Sequence, residues 1–127
     1  MRRAAALASL AAAAATAAVP APIERGEQLY RSACYSCHAL EPGRHSAAGP
    51  SLHGIVGRRI AAQDGFNYSP ALRRFATRQR RWTPALIDRF VADPETLVPG
   101  SEMSFIGMSD VDRRALVAWF AARRGRR

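Results

Sequence analysis

The chain has 127 residues, of which 19 are basic and 10 acidic, so its formal net charge is +9 at pH 7. All 19 basic residues are arginine and only two cysteines are present, which excludes a disulfide-rich scaffold. Apart from an alanine-rich start, no apolar run is long enough to span a bilayer. Composition therefore predicts one small domain with no transmembrane span in its mature form.

The chain begins with a pattern typical of a secretory signal peptide. A basic start, Met1-Arg2-Arg3, precedes an apolar run over 4–18, and Ala15-Thr16-Ala17 offers a cleavage site of the small-x-small type. The alternative is an uncleaved anchor, but an alanine-dominated run is a poor membrane span. We therefore predict a signal peptide over 1–21, cleaved after about residues 17–21, and a single exported domain over 22–127 in the periplasm.

The first predicted helix runs from about 23 to 35, and its C-terminal end leads into the motif Cys34-Tyr35-Ser36-Cys37-His38. This pattern is the attachment signature of c-type haem, in which Cys34 and Cys37 bind the porphyrin and His38 becomes the proximal iron ligand. A structural zinc site needs four ligands, and only His45 and His53 remain as candidates. A dithiol redox pair is expected to follow a strand, and a plain disulfide would leave His38 unexplained. The pentapeptide therefore favours one covalently bound haem c per chain.

Three further helices are predicted, each beginning at a residue that can cap it. Ser69 and Thr83 are both followed by proline, which suits the first helical turn, and Ser109 precedes two aspartates. The third helix is expected to end at Asp93-Pro94. No strand-like alternation is present, and two Gly/Pro-rich loops cover 41–65 and 97–107. We expect an all-α fold of four helices, with long loops that pack against the haem rather than against each other.

An electron-transfer haem needs a second axial ligand, for which Met103, Met108, His45 and His53 are the candidates. Met103 lies in a loop, which can present its thioether to iron, whereas Met108 lies beside the start of the last helix and is expected to pack in the core. We predict iron ligation by His38 and Met103, which raises the reduction potential. Such a site has no open coordination position, so a haem enzyme or a ligand-binding haem sensor is disfavoured.

Several motifs resemble the class I cytochromes c, and among them the mitochondrial and purple-bacterial soluble carriers. The resemblance covers about 24–123. Gly26 and Tyr30, before the haem motif, resemble residues of the family's N-terminal helix. Leu116 and Trp119 resemble the residues of the C-terminal helix that pack against it. In the family the glycine lets these two helices cross closely. The resemblance therefore implies the cytochrome c fold.

The resemblance also implies roles for five further residues. The Pro50 carbonyl would accept the second ring N–H of the proximal histidine, which fixes its tautomer. Tyr68, Trp82 and Arg58 would lie close to the haem propionates. Phe105 would lie beside the exposed haem edge, through which an electron would pass.

The chain departs from the family at three notable positions. Leu72 replaces an asparagine that supports a buried water, and Phe90 replaces a tyrosine that bonds the methionine sulfur. Both changes predict a less polar distal side and a reduction potential that is still clearly positive. Glu102 replaces the lysine usual before the methionine, so the basic ring around the haem edge would be made of arginine with one acidic interruption.

Together these patterns predict a non-enzymatic one-electron carrier between respiratory or photosynthetic membrane complexes. The basic charge favours acidic redox partner proteins, namely a cytochrome bc complex, a terminal oxidase or reaction centre, or a dehydrogenase. Nucleic acid is excluded as a partner because the arginines are not interleaved with aromatic residues. A monomer is expected. The alternative function is that of a dedicated electron-transfer partner or subunit of one periplasmic dehydrogenase.

Overall fold

The computed structural model describes residues 21–124. The predicted signal peptide lies outside this range except for Ala21, so export and cleavage stay predictions. Among the described residues, no helix has the length and apolarity needed to cross a membrane.

Five α-helices and one π-helical turn make up the regular structure of residues 21–124. They are α1 (Pro22–Leu29), a π-helical turn (Tyr30–Cys34), α2 (Pro70–Arg78), α3 (Pro84–Ala92), α4 (Pro94–Leu97) and α5 (Asp110–Ala122). The all-α prediction is confirmed. The π-helical turn continues α1 to the first cysteine, so the first predicted helix is one continuous helical segment with two hydrogen-bonding patterns.

The helices begin where the predicted capping residues lie. The side-chain oxygens of Ser69, Thr83 and Ser109 each accept a backbone N–H of the first helical turn, at 3.1, 3.1 and 3.2 Å. The third predicted helix ends at Asp93, as expected, but α4 follows it at once, in a stretch for which no helix is predicted. Its cause is the Asp93 carboxylate, which accepts the backbone N–H of Thr96 at 3.0 Å and therefore caps a new helix.

The centre of the core is the crossing of α1 and α5. A Cβ at Gly26 would overlap the carbonyl oxygen of Ala115 and the Cβ of Trp119, so only glycine allows this approach. Tyr30 stacks on Trp119 with 5.2 Å between ring centroids, and Leu116 is completely buried. The predicted crossing is thus confirmed.

A short antiparallel contact joins the segment before α2 to the segment before α3. Arg59 and Arg81 form an isolated bridge, flanked by hydrogen bonds from Ile60 N–H to the Arg80 carbonyl (3.0 Å) and from Trp82 N–H to the Arg58 carbonyl (2.9 Å). Side chains alternate across such a contact, so Ile60 and Trp82 are buried while Arg59 and Arg81 are exposed. The bridge therefore turns Trp82 towards the interior.

Candidate functional site

A cavity of about 440 Å³ opens between the loops and helices α2, α3 and α5. Its volume lies within the range of about 300–1,000 Å³ that is usual for pockets that bind a small molecule or cofactor. Most of its lining is apolar, with a few polar groups among the aromatic and aliphatic side chains. All nine residues predicted for the site line this one cavity: Cys34, Cys37, His38, Pro50, Arg58, Tyr68, Trp82, Met103 and Phe105.

The two thiols and the imidazole lie on one tight turn that begins at Cys34, the last residue of the π-helical turn. The backbone N–H groups of Cys37 and His38 both donate to the Cys34 carbonyl, at 3.1 and 2.9 Å. Burial, and then the charge of Cys37, raise the pKa of the Cys34 thiol to about 11. A redox-active dithiol needs a lowered thiol pKa, so this environment opposes a thioredoxin-like role. Within residues 21–124, no three His, Cys, Asp or Glu side chains cluster as they would around zinc.

The ring of His38 is oriented by a backbone carbonyl. Its Nδ1–H donates to the Pro50 oxygen at 2.8 Å, since that oxygen can only accept. The Nε2 atom is then the nitrogen left to bind a metal. Burial lowers the pKa of His38, the Pro50 hydrogen bond opposes this, and the nearby charge of Arg58 lowers it further. The net direction favours the neutral imidazole, which is the form that ligates metals.

Three residues that the sequence did not single out for this site also constrain the turn around His38. A Cβ at Gly49 would lie 2.5 Å from Cε1 of His38 and 2.8 Å from the Cys37 carbonyl oxygen, so only glycine lets the loop approach the ring. The Tyr30 hydroxyl donates to the His38 carbonyl at 2.6 Å, and the Ser46 hydroxyl to the Cys37 carbonyl at 2.9 Å. The signal available in the sequence was the glycine directly before Pro50.

Polar groups from Arg58, Tyr68 and Trp82 also line the cavity. The Arg58 guanidinium donates to the carbonyls of His53 (2.8 Å) and Ser51 (2.6 Å), and burial lowers its pKa. The Tyr68 hydroxyl accepts a backbone N–H at 3.2 Å, which leaves its own hydrogen free to donate. Within residues 21–124, the indole N–H of Trp82 has no hydrogen-bond acceptor. These three donors would suit an anionic group of a cofactor.

The loop around these donors is held by two residues that sequence reasoning missed. The side chain of Ser51 is completely buried, and its hydroxyl donates to the Glu41 carbonyl at 2.7 Å. The Gln63 side chain accepts the Ser51 N–H at 2.8 Å and donates to the Gly43 carbonyl at 3.1 Å. These bonds connect both ends of the long loop, and neither residue belongs to a periodic pattern that could have marked it.

Met103 is carried on a turn that follows α4. Gly100 adopts a φ of +86°, and its N–H lies 3.0 Å from both carboxylate oxygens of Glu95. The Met103 N–H donates to the Ser101 hydroxyl at 3.2 Å, and the half-buried Met103 side chain lines the cavity. The other three candidate ligands among the described residues, Met108, His45 and His53, do not line it.

The two apolar replacements also lie at the cavity. Leu72 from α2 and Phe90 from α3 both contribute to its lining, and the Phe90 ring packs against Trp82 with 5.2 Å between centroids. Neither side chain can donate a hydrogen bond to a thioether. The cavity is therefore less polar there than asparagine and tyrosine would make it.

These residues fit haem c. The donor set comprises two thiols on one turn, an imidazole with Nε2 free, a thioether and a group of polar hydrogen donors, all around a largely apolar cavity. Thiols, imidazole and thioether are the groups by which proteins hold this cofactor.

Comparison with known proteins agrees with this fit. The family described as cytochrome c oxidase, cbb3-type, subunit III matches residues 21–120. The cytochrome c-type cyt cy of Rhodobacter capsulatus is 35% identical over 80% of the chain and 48% of its own length. The cytochrome c2 of Rhodopila globiformis is 36% identical over 74% of the chain and 84% of its own length. The cytochrome c2 of Rhodomicrobium vannielii is 31% identical over 80% of the chain and 78% of its own length.

The chain thus spans about half the length of the Rhodobacter capsulatus protein but most of the two cytochromes c2. The family match covers the whole region in which the predicted site residues lie. The chain belongs to the cytochrome c family and is a class I cytochrome c.

Proposed function

We propose that this protein is a periplasmic monohaem cytochrome c that carries one electron at a time between membrane complexes. The observation that carries the proposal is the convergence of Cys34, Cys37, His38 and Met103 on one cavity. The similar proteins named cytochrome c2 support a role in electron transfer. When bound, the haem supplies the one-electron redox chemistry.

The chain's own residues would attach and orient this group. Cys34 and Cys37 would form the two thioether bonds, and His38 and Met103 would ligate the iron. Pro50 would fix the tautomer of His38, while Arg58, Tyr68 and Trp82 would donate hydrogen bonds to the propionates. Because His38 and Met103 would both be engaged as iron ligands, no open site for a substrate would remain, which is why we propose a carrier and not an enzyme.

Partners would dock where the site reaches the surface. Cys37 is exposed and Phe105 is half-buried at the cavity, so this side offers a short path for an electron. The excess of arginine favours acidic partners such as a cytochrome bc complex, an oxidase or a reaction centre.

A second candidate is a dedicated partner of one periplasmic dehydrogenase. Glu102 is exposed directly beside Met103, so a basic docking surface at this point would carry an acidic interruption. A diffusible carrier would bind transiently and lose its partner as salt rises. Stable association with one dehydrogenase at high salt would favour the dedicated partner.

The decisive experiment is optical spectroscopy of protein matured with the haem-attachment machinery. We expect a covalent haem that resists extraction and, in the ferric state, a far-red band from methionine ligation. Met103→Ala should abolish the band, whereas the matched Met108→Ala should keep it. A band that survives Met103→Ala would refute the ligand assignment, and the absence of covalent haem would refute the proposed function.

A further inference from the structure

Three arginines, Arg59, Arg81 and Arg124, lie close to Gly57, outside the cavity. The Arg81 guanidinium donates to the Gly57 carbonyl at 2.8 Å. The Arg124 guanidinium lies against the same glycine, with its Nη2 atom 3.4 Å from the position that a Cβ would take. Arg59 is the bridge partner of Arg81, so their backbones are adjacent and their side chains leave the same face of the contact. We call these three side chains the Gly57 arginine cluster.

The backbone brings the Cα atoms of two of these arginines close together. The hydrogen bonds from Ile60 to Arg80 and from Trp82 to Arg58 flank the bridge, so Arg59 and Arg81 are a non-hydrogen-bonded pair. In such pairs the Cα atoms are only about 4.5 Å apart and the side chains lie closest together. Like charges directly opposite each other destabilise an antiparallel contact.

No carboxylate of the described residues neutralises this cluster. The ion pairs within 21–124 use other arginines, namely Arg25, Arg31, Arg44 and Arg113. The stretch 65–87, which contains Arg81, has no aspartate or glutamate at all. The cluster therefore places three arginines close together, and none of them forms an ion pair with an acidic side chain within residues 21–124.

We propose that the Gly57 arginine cluster binds a phosphate group. Each guanidinium presents its donors in a planar fork that matches two oxygens of an oxyanion. A phosphate group has three or more oxygens and up to two negative charges, so it can engage several forks at once, whereas one carboxylate offers two oxygens and one charge. The phosphate could belong to a soluble compound or to a phospholipid headgroup. This inference does not depend on the haem.

The test is calorimetric titration of the holoprotein with pyrophosphate. Arg59→Gln/Arg124→Gln removes two of the three guanidiniums, neither of which makes a side-chain hydrogen bond to the described residues. Arg89→Gln/Arg114→Gln is the matched control, since it removes two exposed arginines elsewhere and leaves the same net charge. We expect the cluster variant to bind at least about tenfold more weakly and the control to change little.

A lysine variant separates the guanidinium fork from simple charge. Arg59→Lys/Arg124→Lys keeps both positive charges but removes the planar forks. We therefore expect its affinity for pyrophosphate to lie between that of the wild type and that of the glutamine variant. Thermal melting and the haem spectrum of each variant check the fold independently of binding. An equal loss of affinity in the cluster and control variants would show a general charge effect and overturn the proposal.

Two further arms identify the source of the phosphate. Phosphatidylcholine vesicles with and without phosphatidylglycerol are sedimented with the protein. If the protein is retained on the anionic vesicles, if pyrophosphate reverses this retention and if the cluster variant is not retained, the ligand is a phospholipid headgroup. If the protein binds pyrophosphate but is not retained on the vesicles, the ligand is a soluble phosphate compound. If polyglutamate binds the cluster more tightly than pyrophosphate, the surface recognises an acidic protein and the proposal fails. It also fails if pyrophosphate does not bind.

Discussion

Replacing Gly26 by alanine tests the helix crossing on which the fold depends. The new methyl group would overlap the carbonyl oxygen of Ala115 and the Cβ of Trp119, and would lie 3.0 Å from the Ala115 carbonyl carbon. Favourable contact between such atoms requires about 3.5–4.0 Å. None of the three atoms belongs to a flexible side-chain end, so α1 and α5 would have to move apart.

The expected cost follows from two opposing effects. Overpacking of a well-filled core costs about 1–3 kcal/mol, and overlap with backbone atoms points to the upper end of that range. Alanine in place of glycine within a helix contributes about 0.5–1 kcal/mol in the opposite direction. We therefore expect Gly26→Ala to lower the free energy of unfolding by about 2 kcal/mol and the melting temperature by about 10 °C.

Urea unfolding of the holoprotein, followed by far-ultraviolet circular dichroism, measures this change. Gln28→Ala is the control, because Gln28 is exposed on the same helix and should change stability by less than about 0.5 kcal/mol. If Gly26→Ala is as stable as the wild type, or gains the helix propensity of alanine, the close crossing does not exist and the packing argument is wrong.

Three further variants test other contacts. Tyr30→Phe removes the hydroxyl that donates to the His38 carbonyl, so urea unfolding should show a loss of about 1 kcal/mol, and no loss would mean that the bond contributes nothing. Glu95→Ala removes the acceptor that holds the turn before the proposed methionine ligand, so the far-red band should disappear at a lower urea concentration than in the wild type. The hydrogen bond from Arg25 lowers the pKa of Asp112 in the folded protein. The stabilisation that this bond contributes is therefore fully present above the unfolded-state pKa of about 3.9, and it is lost as the pH falls through the lower folded-state pKa. The urea midpoint of Arg25→Gln should therefore decrease less than that of the wild type as the pH is lowered. An equal pH dependence in the two proteins would show that the Arg25–Asp112 hydrogen bond does not contribute this stabilisation.

Local signals in the sequence predicted much of this fold. Serine or threonine at the N-caps, followed by proline in two cases, marked the starts of three helices because capping depends only on adjacent residues. Asp93 combines two signals, because the Asp-Pro pair ends α3 while the aspartate side chain caps α4.

Long-range hydrogen bonds in the loops could not be predicted in this way. Ser51 and Gln63 are 12 positions apart, and their contact depends on how the loop folds back, which no periodicity records. Gly49 needs no positive φ, and its small size matters only because the His38 ring lies against it. The resemblance to a family, not the spacing of residues, was what pointed to the Pro50 carbonyl.

Tyr30 connects the helix crossing to the haem-binding turn. Its ring stacks on Trp119 at the α1–α5 crossing, and its hydroxyl holds the His38 carbonyl at 2.6 Å. The other face of the turn is limited by Gly49 and Pro50, so the imidazole is constrained by protein atoms on several sides. A shift of α1 away from α5 would therefore move the support of the proposed proximal ligand. For this reason, Gly26→Ala should perturb the haem spectrum as well as stability, whereas an exposed change on α1 should alter neither.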